Sequence, residues 1–442
     1  MPALAFVALG CTEPAVETVE LAVDNWWQRP SEGEAFLHVK TLHEEAHENV
    51  DIVAIPQSDD AVDIRTITAQ KLLAGRPPST FQANIGADLL RWAVVNTEDG
   101  EPSTRRIHGL VTLFEKWGLN EELPESLLRQ LRVGGSTEPF GVPINIHREN
   151  VLYYSQKKLD EFKTAHNGQT FLEPATLCPE VIPEDPQEKL DANIAMSPEG
   201  WVLVLFAFEN VLVSVAGPEF YERLFRGEYP VSESGEDWKT VVHKALGCVR
   251  YLSRSFDRTS GIDTWSEAVT AVQNDEASFT VIGDWANGEL TSKLDSLAVN
   301  AVPFPGSEDA FVFTSDTFPL PVGVEHGAEV FEFLETIASP RAQLGFSEKK
   351  GSIPALRSVS LEEHPRAAKT RLEFDNATQV VATSGLFPPY FADTDLHDRL
   401  QDLVAEDADD ADIEAVIVEL EHAMPLFQRW QARLSQPAGV LP

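Results

Sequence analysis

Two observations predict an α/β fold divided among more than one domain. Strand-like and helix-like segments alternate from Val19 to Ile85, the pattern of a largely parallel sheet with helices packed on it. The chain has 442 residues, 43% of them hydrophobic. At roughly 100–200 residues per domain that length supplies two or three domains, with sizeable cores and a cleft between them.

Each element follows from local pattern. Val19 to Val23 (VELAV) reads as a strand running into Trp26 and Trp27. From Glu34 to Ala46 the apolar residues Ala35, Leu37, Leu42 and Ala46 fall near helical spacing, and Val50 to Ile55 is then a β-branched strand. Val62 to Leu73 reads as a helix closed by Ala74-Gly75 and the breaker Pro77-Pro78, with Thr80 to Ile85 as a third strand. In sheets of this kind ligands bind at the carboxyl ends of the strands. Gly141 to Tyr154 (GVPINIHRENVLYY) is a long extended segment suited to crossing between domains, and Phe162 to Ala192 is Pro-rich and loop-like. The pattern turns helical from Trp201 to about Ser255. Strands follow at Phe279 to Asp284, Leu297 to Pro303 and Phe311 to Thr314, then helices at Ala328 to Ile337 and Pro340 to Phe346. The acidic run Glu406 to Asp412 opens a helix over Ile413 to Met424, where negative charge suits the N-terminal end of the dipole. That run lacks the glycine and oxygen spacing of a calcium loop.

Composition excludes some partners. Against 34 Lys+Arg stand 71 Asp+Glu, a formal net charge of -37, which repels phosphate backbones and anionic lipid headgroups. Three cysteines are too few for a disulfide-built scaffold. The stretch Trp201 to Gly217 is apolar but broken by Glu209 and Asn210. It falls short of the roughly 18 unbroken residues of a spanning helix and reads as a core helix.

Met1 to Gly10 is apolar and uncharged, and Ala8-Leu9-Gly10-Cys11 looks like a bacterial lipobox, although Ala8 stands where Leu is usual and no basic segment precedes it. The expectation is an exported chain, cleaved before Cys11 and held at the membrane by a lipid on that residue. Export permits a disulfide between the remaining Cys178 and Cys248; spacing does not show whether they meet.

His43-Glu44-Glu45-Ala46-His47 matches H-E-x-x-H on a predicted helix, the spacing of a zinc peptidase. Against that reading, the helix runs straight into Glu48-Asn49-Val50 and a strand, and no third histidine follows. A carbohydrate hydrolase would need a carboxylate pair, which 71 acidic residues cannot single out without geometry. The more informative pattern is aromatic and amide residues at strand ends: Trp26 and Trp27, Gln82 and Asn84, Trp265, and Asp284-Trp285. Sugars present an apolar C–H face, which flat rings cover, and an edge of hydroxyls, which amides and carboxylates satisfy.

At these residues the sequence resembles the family 1 extracellular solute-binding proteins of carbohydrate ABC importers, closest to the branch that binds glucose and related sugars. The landmarks are LAVDNWW, KLLAGRPPSTFQANIGADLLRWA, FGVPINIHRENVLYYSQKKL, TWSEAVTAV, FTVIGDWANGEL, AVPFPGS, VFTSDTFPLPVG and FSEKKGSIPA, in this order. The resemblance implies a two-lobed periplasmic-binding-protein fold of type II. Its lobes would comprise residues 19–143 and 312–346, and residues 148–308 and 352–442, after the leader 1–11. Crossing strands would join them, with closure on the ligand by a hinge. It implies a monomeric, lipid-anchored receptor in the periplasm or at the cell surface, without catalysis or cofactor, that captures a mono- or disaccharide and passes it to ABC permease subunits. The implied site is Trp26 and Trp27 as walls, Glu34 as a hydroxyl acceptor, Gln82 and Asn84 from the first lobe, Trp265 and Trp285 as stacking rings, Asp316 and Lys350 on a shared hydroxyl, and Ser384. Three departures from the branch stand out. Asn84 and Ser384 occupy positions where histidine is expected, and the loop QRPSEGE is longer, so that Glu32 competes with Glu34 for the same role. Two side chains shorter than histidine leave room for a larger or differently substituted sugar than glucose.

Overall fold

The computed structural model describes residues 18–56, 61–93, 106–132, 137–259 without 184 and 186, 261–292, 299–382 and 396–434. The chain begins with a parallel sheet in the order β2-β1-β3, formed by β1 (Val19–Asn25), β2 (Val50–Pro56) and β3 (Thr80–Phe81). Between β1 and β2 runs the helix Pro30–Ala46, which starts earlier than apolar spacing suggests. Proline belongs in a first helical turn, where its missing N–H costs nothing. The expected strand Thr80 to Ile85 is split. Thr80–Phe81 pairs with β1, while β4 (Ala83–Asn84) pairs antiparallel with β11 (Asp316–Phe318), which also pairs with β5 (Val142–Pro143). Gln82 stands at the break and its N–H donates to Asp24 O at 2.9 Å.

Among the described residues two large hydrophobic cores define two lobes. One gathers Leu21, Val23, Phe81, Phe114, Ile146, Phe333 and Phe346, and the other Leu152, Phe171, Phe206, Val242, Phe279 and Leu420. The chain crosses between them three times, within a sheet ordered β12-β6-β10-β13. Its strands are β6 (Asn145–Arg148), β10 (Ala310–Thr314), β12 (Ile353–Pro354) and β13 (Gln379–Ala382). Strand alternation serves both cores at once, because neighbouring side chains point to opposite faces. In β10, Phe311 and Phe313 enter the first core while Ala310 and Val312 enter the second. After β6 the chain continues as β7 (Val151–Ser155), whose Val151 and Leu152 lie in the second core. The extended segment of the sequence is thus three strands, β5, β6 and β7.

The second lobe holds the antiparallel sheet β8-β7-β9, with β8 (Phe279–Val281) and β9 (Val299–Pro303). Around it pack the helix over residues 200–216 and the helices Trp238–Ser253 and Asp410–Leu434. The first of these is buried, as its apolar run predicts, and widens into π-helical turns over Leu205–Leu212. There Asn210 Nδ2 donates to Leu205 O at 3.0 Å, so part of the polar interruption is satisfied inside the helix. Cys178 and Cys248 form a disulfide with Cα atoms 5.2 Å apart. Among the described residues no helix is long and apolar enough to cross a membrane.

One boundary differs from expectation. Residues 353–374 do not join the second lobe: Ile353, Ala355, Leu356, Leu361 and Phe374 pack in the first core. The cause is strand pairing, because Ile353 of β12 lies opposite Ile146 of β6 and pulls the following chain onto that side. Only from β13 onward, through Val381 and the helices Leu396–Leu403 and Asp410–Leu434, does the chain build the second core.

Candidate functional site

Where the crossing strands enter the first lobe, a chain of buried polar side chains converges on Asp316. Antiparallel pairing sets Asp316 opposite Asn84. Its Oδ1 accepts from Gln82 Nε2 at 2.7 Å and its Oδ2 from Asn145 Nδ2 at 2.8 Å, while its own N–H donates to Asn145 Oδ1 at 2.9 Å. Gln82 Oε1 accepts in turn from the N–H of Trp26 at 3.2 Å, and the Arg65 guanidinium lies 4.6 Å from the Trp26 ring centre. Arg65 is itself held by Asp88 at 3.0 Å, and Asp88 Oδ2 accepts from the N–H of Asn84. The sheet edge, the Trp26 ring and the amide groups are therefore fixed by one another.

His147 connects this cluster to the second lobe. Its Nε2 lies 2.9 Å from Asn145 Nδ2 and 3.4 Å from Asp316 Oδ2, and its Nδ1 lies 2.5 Å from Asp284 Oδ1. Burial pushes the histidine toward its neutral form, but the charge and hydrogen bond of Asp284 and the hydrogen bond to Asp316 outweigh that, so its pKa is raised above the ordinary value. For Asp316, burial favours the neutral acid; the hydrogen bond and charge of His147, with Lys350 and Asn145, override it and hold its pKa below the ordinary carboxylate value. Asp284 is locked to the crossing strand, its N–H donating to Arg148 O and its Oδ2 accepting from the N–H of Arg148.

The second lobe presents rings and carboxylates to the same region. Trp285 stands edge-on to His147 with centres 5.5 Å apart and lies 6.0 Å from Trp201. Glu199 accepts from the N–H of Trp265 at 2.8 Å and from Trp201 Nε1 at 3.3 Å, joining the remaining indoles. Further contacts bridge the lobes. Arg29 stacks over the Trp265 ring at 4.8 Å and donates to Ser266 Oγ at 2.6 Å, and Ser31 Oγ donates to Glu289 Oε1 at 2.6 Å. The backbones also approach closely at a pair of glycines. A Cβ on Gly288 would meet Lys349 O at 2.5 Å, and one on Gly351 would meet Gly288 N at 2.6 Å.

The structure brings most of the expected residues together and relocates two. Gln82, Asn84, Asp316 and Trp26 share one network, Trp285 of the second lobe meets it at His147, and Trp265 lies against Arg29 and Glu199. Lys350 is buried and donates to Glu32 Oε1 at 2.5 Å. Glu34 is exposed, so the longer loop does shift the buried carboxylate to Glu32. Trp27 is a core residue instead of a wall: it is 3% exposed and packs against Phe36, Phe318 and Phe346. Cys11 and Ser384 lie outside the described residues. Sequence reasoning passed over Asn145 and His147, and singled out Asp284 only beside Trp285 at a strand end without assigning it to the site. The signal lay in PINIHR, where Asn145 and His147 share one strand face and Ile144 and Ile146 take the other.

The H-E-x-x-H residues do structural work at the end of their helix. The His43 and His47 rings stack with centres 4.3 Å apart, and His43 Nδ1 lies 2.8 Å from Thr336 Oγ1. Glu44 accepts from Lys40 Nζ and from the N–H of Ile52, both at 2.7 Å. Among the described residues no cluster of three or more His, Cys, Asp or Glu side chains is arranged to hold a metal ion. A groove of about 760 Å³ runs along the second lobe beside Lys158, His166, Lys189, Arg254 and Arg258. It shares no residue with the interlobe cluster, so the chemistry above does not depend on it.

The chain is similar to several proteins in sequence, and to solved structures in architecture. An uncharacterized ABC transporter extracellular-binding protein of Pyrococcus horikoshii is 25% identical over 413 residues, 92% of this chain and 87% of that one. The glucose-binding protein GlcS of Saccharolobus solfataricus is 22% identical over 325 residues, 67% of this chain and 54% of that one. Among solved structures, the bacterial solute receptor AcbH, described as exclusive for β-D-galactopyranose, superposes with a TM-score of 0.71 at 15% identity, covering 93% of this chain and 100% of that one. The fold is the two-lobed, type II periplasmic-binding arrangement. The profile of the bacterial extracellular solute-binding proteins matches residues 43–371, more than half of the chain, and this protein belongs to that family.

Proposed function

We propose that this protein is the sugar receptor of an ABC importer, capturing a mono- or disaccharide between its lobes and delivering it to the permease. One observation carries the reading. The buried groups Gln82, Asn145 and Asp316 of the first lobe join through His147 to the Trp285 indole of the second. Hydroxyls need paired acceptors and donors when buried, and the C–H face of a pyranose needs a flat apolar partner. Relatives named as sugar-binding support the same reading.

In this reading Gln82, Asn84, Asp316 and the pair Glu32–Lys350 take hydroxyls, while Trp26, Trp265 and Trp285 stack on the ring. The mechanism is binding without chemistry and without a cofactor. A ligand touching both lobes favours the closed state because only there are both sets of contacts made. The receptor acts as a monomer, tethered by a lipid on Cys11 and facing the periplasm or cell exterior. A thermal-shift panel of mono- and disaccharides tests it: a ligand at about 100 times its dissociation constant adds about 2.7 kcal/mol of stability. The reading fails if no sugar raises the melting temperature. Replacing Cys11 by serine is expected to release the protein from membranes into the soluble fraction; membrane retention would refute the anchor.

A further inference from the structure

His147 lies within the crossing strand β6, and its two ring nitrogens reach toward opposite lobes. On one side the clamp is Asn145, which exchanges hydrogen bonds with Asp316, while the N–H of Ile144 donates to Asp316 O at 3.0 Å. On the other side the clamp is Arg148, whose N–H donates to Asp284 Oδ2 at 3.0 Å and whose carbonyl accepts from the N–H of Asp284 at 2.8 Å. Across these clamps the chain passes from the first core, at Ile146, to the second, reached at Val151 just beyond Arg148. A hinge rotation that bends the chain between Asn145 and Arg148 therefore changes the distance between Asp316 and Asp284. His147, 2% exposed, spans that distance with an Nδ1 contact of 2.5 Å and an Nε2 contact of 3.4 Å.

We infer that His147 is a positioning residue that links closure to proton uptake: as an imidazolium it bridges Asp316 of the first lobe and Asp284 of the second, and ligand affinity weakens when it is neutral. This rests on the sugar-receptor reading for the identity of the ligand. A neutral ring has one N–H, which goes to Asp284 at the shorter contact. Its Nε2 lone pair then accepts from Asn145 Nδ2 and offers nothing to Asp316. The two carboxylates are left facing each other across the ring. A second proton, on Nε2, gives up the bond from Asn145 Nδ2, which keeps its donation to Asp316, and supplies a donor toward Asp316 together with the compensating charge. The other charged groups around the ring are Lys350 at the end of its helix, itself paired with Glu32, and Arg148 on the same strand, paired with Glu373 at 2.9 Å. Lys350 opposes protonation and the two aspartates favour it.

The sign follows from linkage. The closed state, with both carboxylates on the ring, has the higher histidine pKa, so closing takes up a proton. Affinity is complete below the open-state pKa and is lost as pH rises through the closed-state value, by at most about tenfold per pH unit for one proton. Calorimetric titration with D-glucose, in buffers of different ionisation enthalpy at a pH above about 6.5, counts the protons exchanged. The wild type is expected to take up a fraction of a proton on binding. His147→Gln keeps an amide at that position but cannot titrate, and is expected to bind with no uptake and a flat pH profile. A role confined to packing would lower the melting temperature of this variant and leave proton uptake unchanged; that result, or proton-neutral wild-type binding, overturns the inference. A ligand-free measurement keeps the test separate from the choice of sugar. In histidine NMR titration the His147 pKa is expected to fall in Asp316→Asn, and the radius of gyration to grow with pH in the wild type but not in His147→Gln. An unchanged pKa and radius overturn the inference even where a sugar binds. Should no sugar bind, the receptor reading fails and these ligand-free measurements still decide the proton linkage.

Discussion

Lys350 and Glu32 stand 318 positions apart and meet in one buried ion pair of 2.5 Å. Removing only the lysine strands a buried carboxylate, so Lys350→Met is expected to cost about 3–5 kcal/mol in urea unfolding, while Glu32→Gln/Lys350→Met recovers much of that loss. Equal losses in the single and double variants would show that the pair is uncoupled. His43 makes a second case. It is fully buried, and burial, with the nearby His47, lowers its pKa to about 4. The folded protein thus disfavours the charged ring, and stability present above the unfolded value of about 6.5 is lost as pH falls toward 4, by up to about 3 kcal/mol. Unfolding at pH 7 and near 4 measures it, and His43→Gln is expected to flatten the difference; an equal slope in the variant would assign the loss to other groups. At this scale the sequence conveys residue chemistry better than partnership. Gln82 is legible as an amide at a strand end, and Asp316 and Lys350 through the motifs that carry the family resemblance. Whether Glu32 or Glu34 turns inward is not, because that depends on where the helix begins, and Pro30 moves its start.

The elements were the most legible level, because periodicity reports which face is buried and the crossing strands keep strict alternation. Pairing was less legible. Thr80 to Ile85 has the composition of one strand, yet it serves two sheets, since the partner of Asn84 is Asp316, far along the chain. Residues 353–374 carry apolar side chains that either core would accept, and only the pairing of β12 with β6 decides between them. The disulfide is an element-level device in the second lobe, tying the loop after the helix Pro174–Leu177 to the helix Trp238–Ser253 across a sequence separation of 70. Confining a loop of that length in the unfolded chain is worth about 4 kcal/mol in the chain-entropy account. Reduction is expected to lower the unfolding free energy by up to that amount, with the same change in Cys178→Ala/Cys248→Ala. A melting temperature indifferent to reductant would mean that the loop is already confined without the bond.

Across the whole molecule, 34 basic residues cannot compensate 71 acidic ones, leaving a net charge of -37, and most acidic side chains of the described residues lie outside the buried set. Surface pairs such as Lys40–Asp51 and Lys239–Glu421 use cations locally, but each exposed pair is worth under about 1 kcal/mol. The unmatched carboxylates repel one another in the compact state more than in an expanded chain. Salt screens that repulsion, because the Debye length shrinks from about 10 Å at 0.1 M to about 3 Å at 1 M. The interlobe groups Asp316, His147, Asp284 and Lys350 are buried and paired at short range, where screening reaches poorly. Sodium chloride is therefore expected to raise the melting temperature by several degrees while changing sugar affinity much less. Chloride is the salt to use, since sulfate stabilises by exclusion from the surface regardless of charge. A melting temperature that stays flat or falls with added chloride would show that surface pairing already balances the charge. An affinity that tracks the salt as steeply as stability does would place the binding groups in solvent instead of between the lobes.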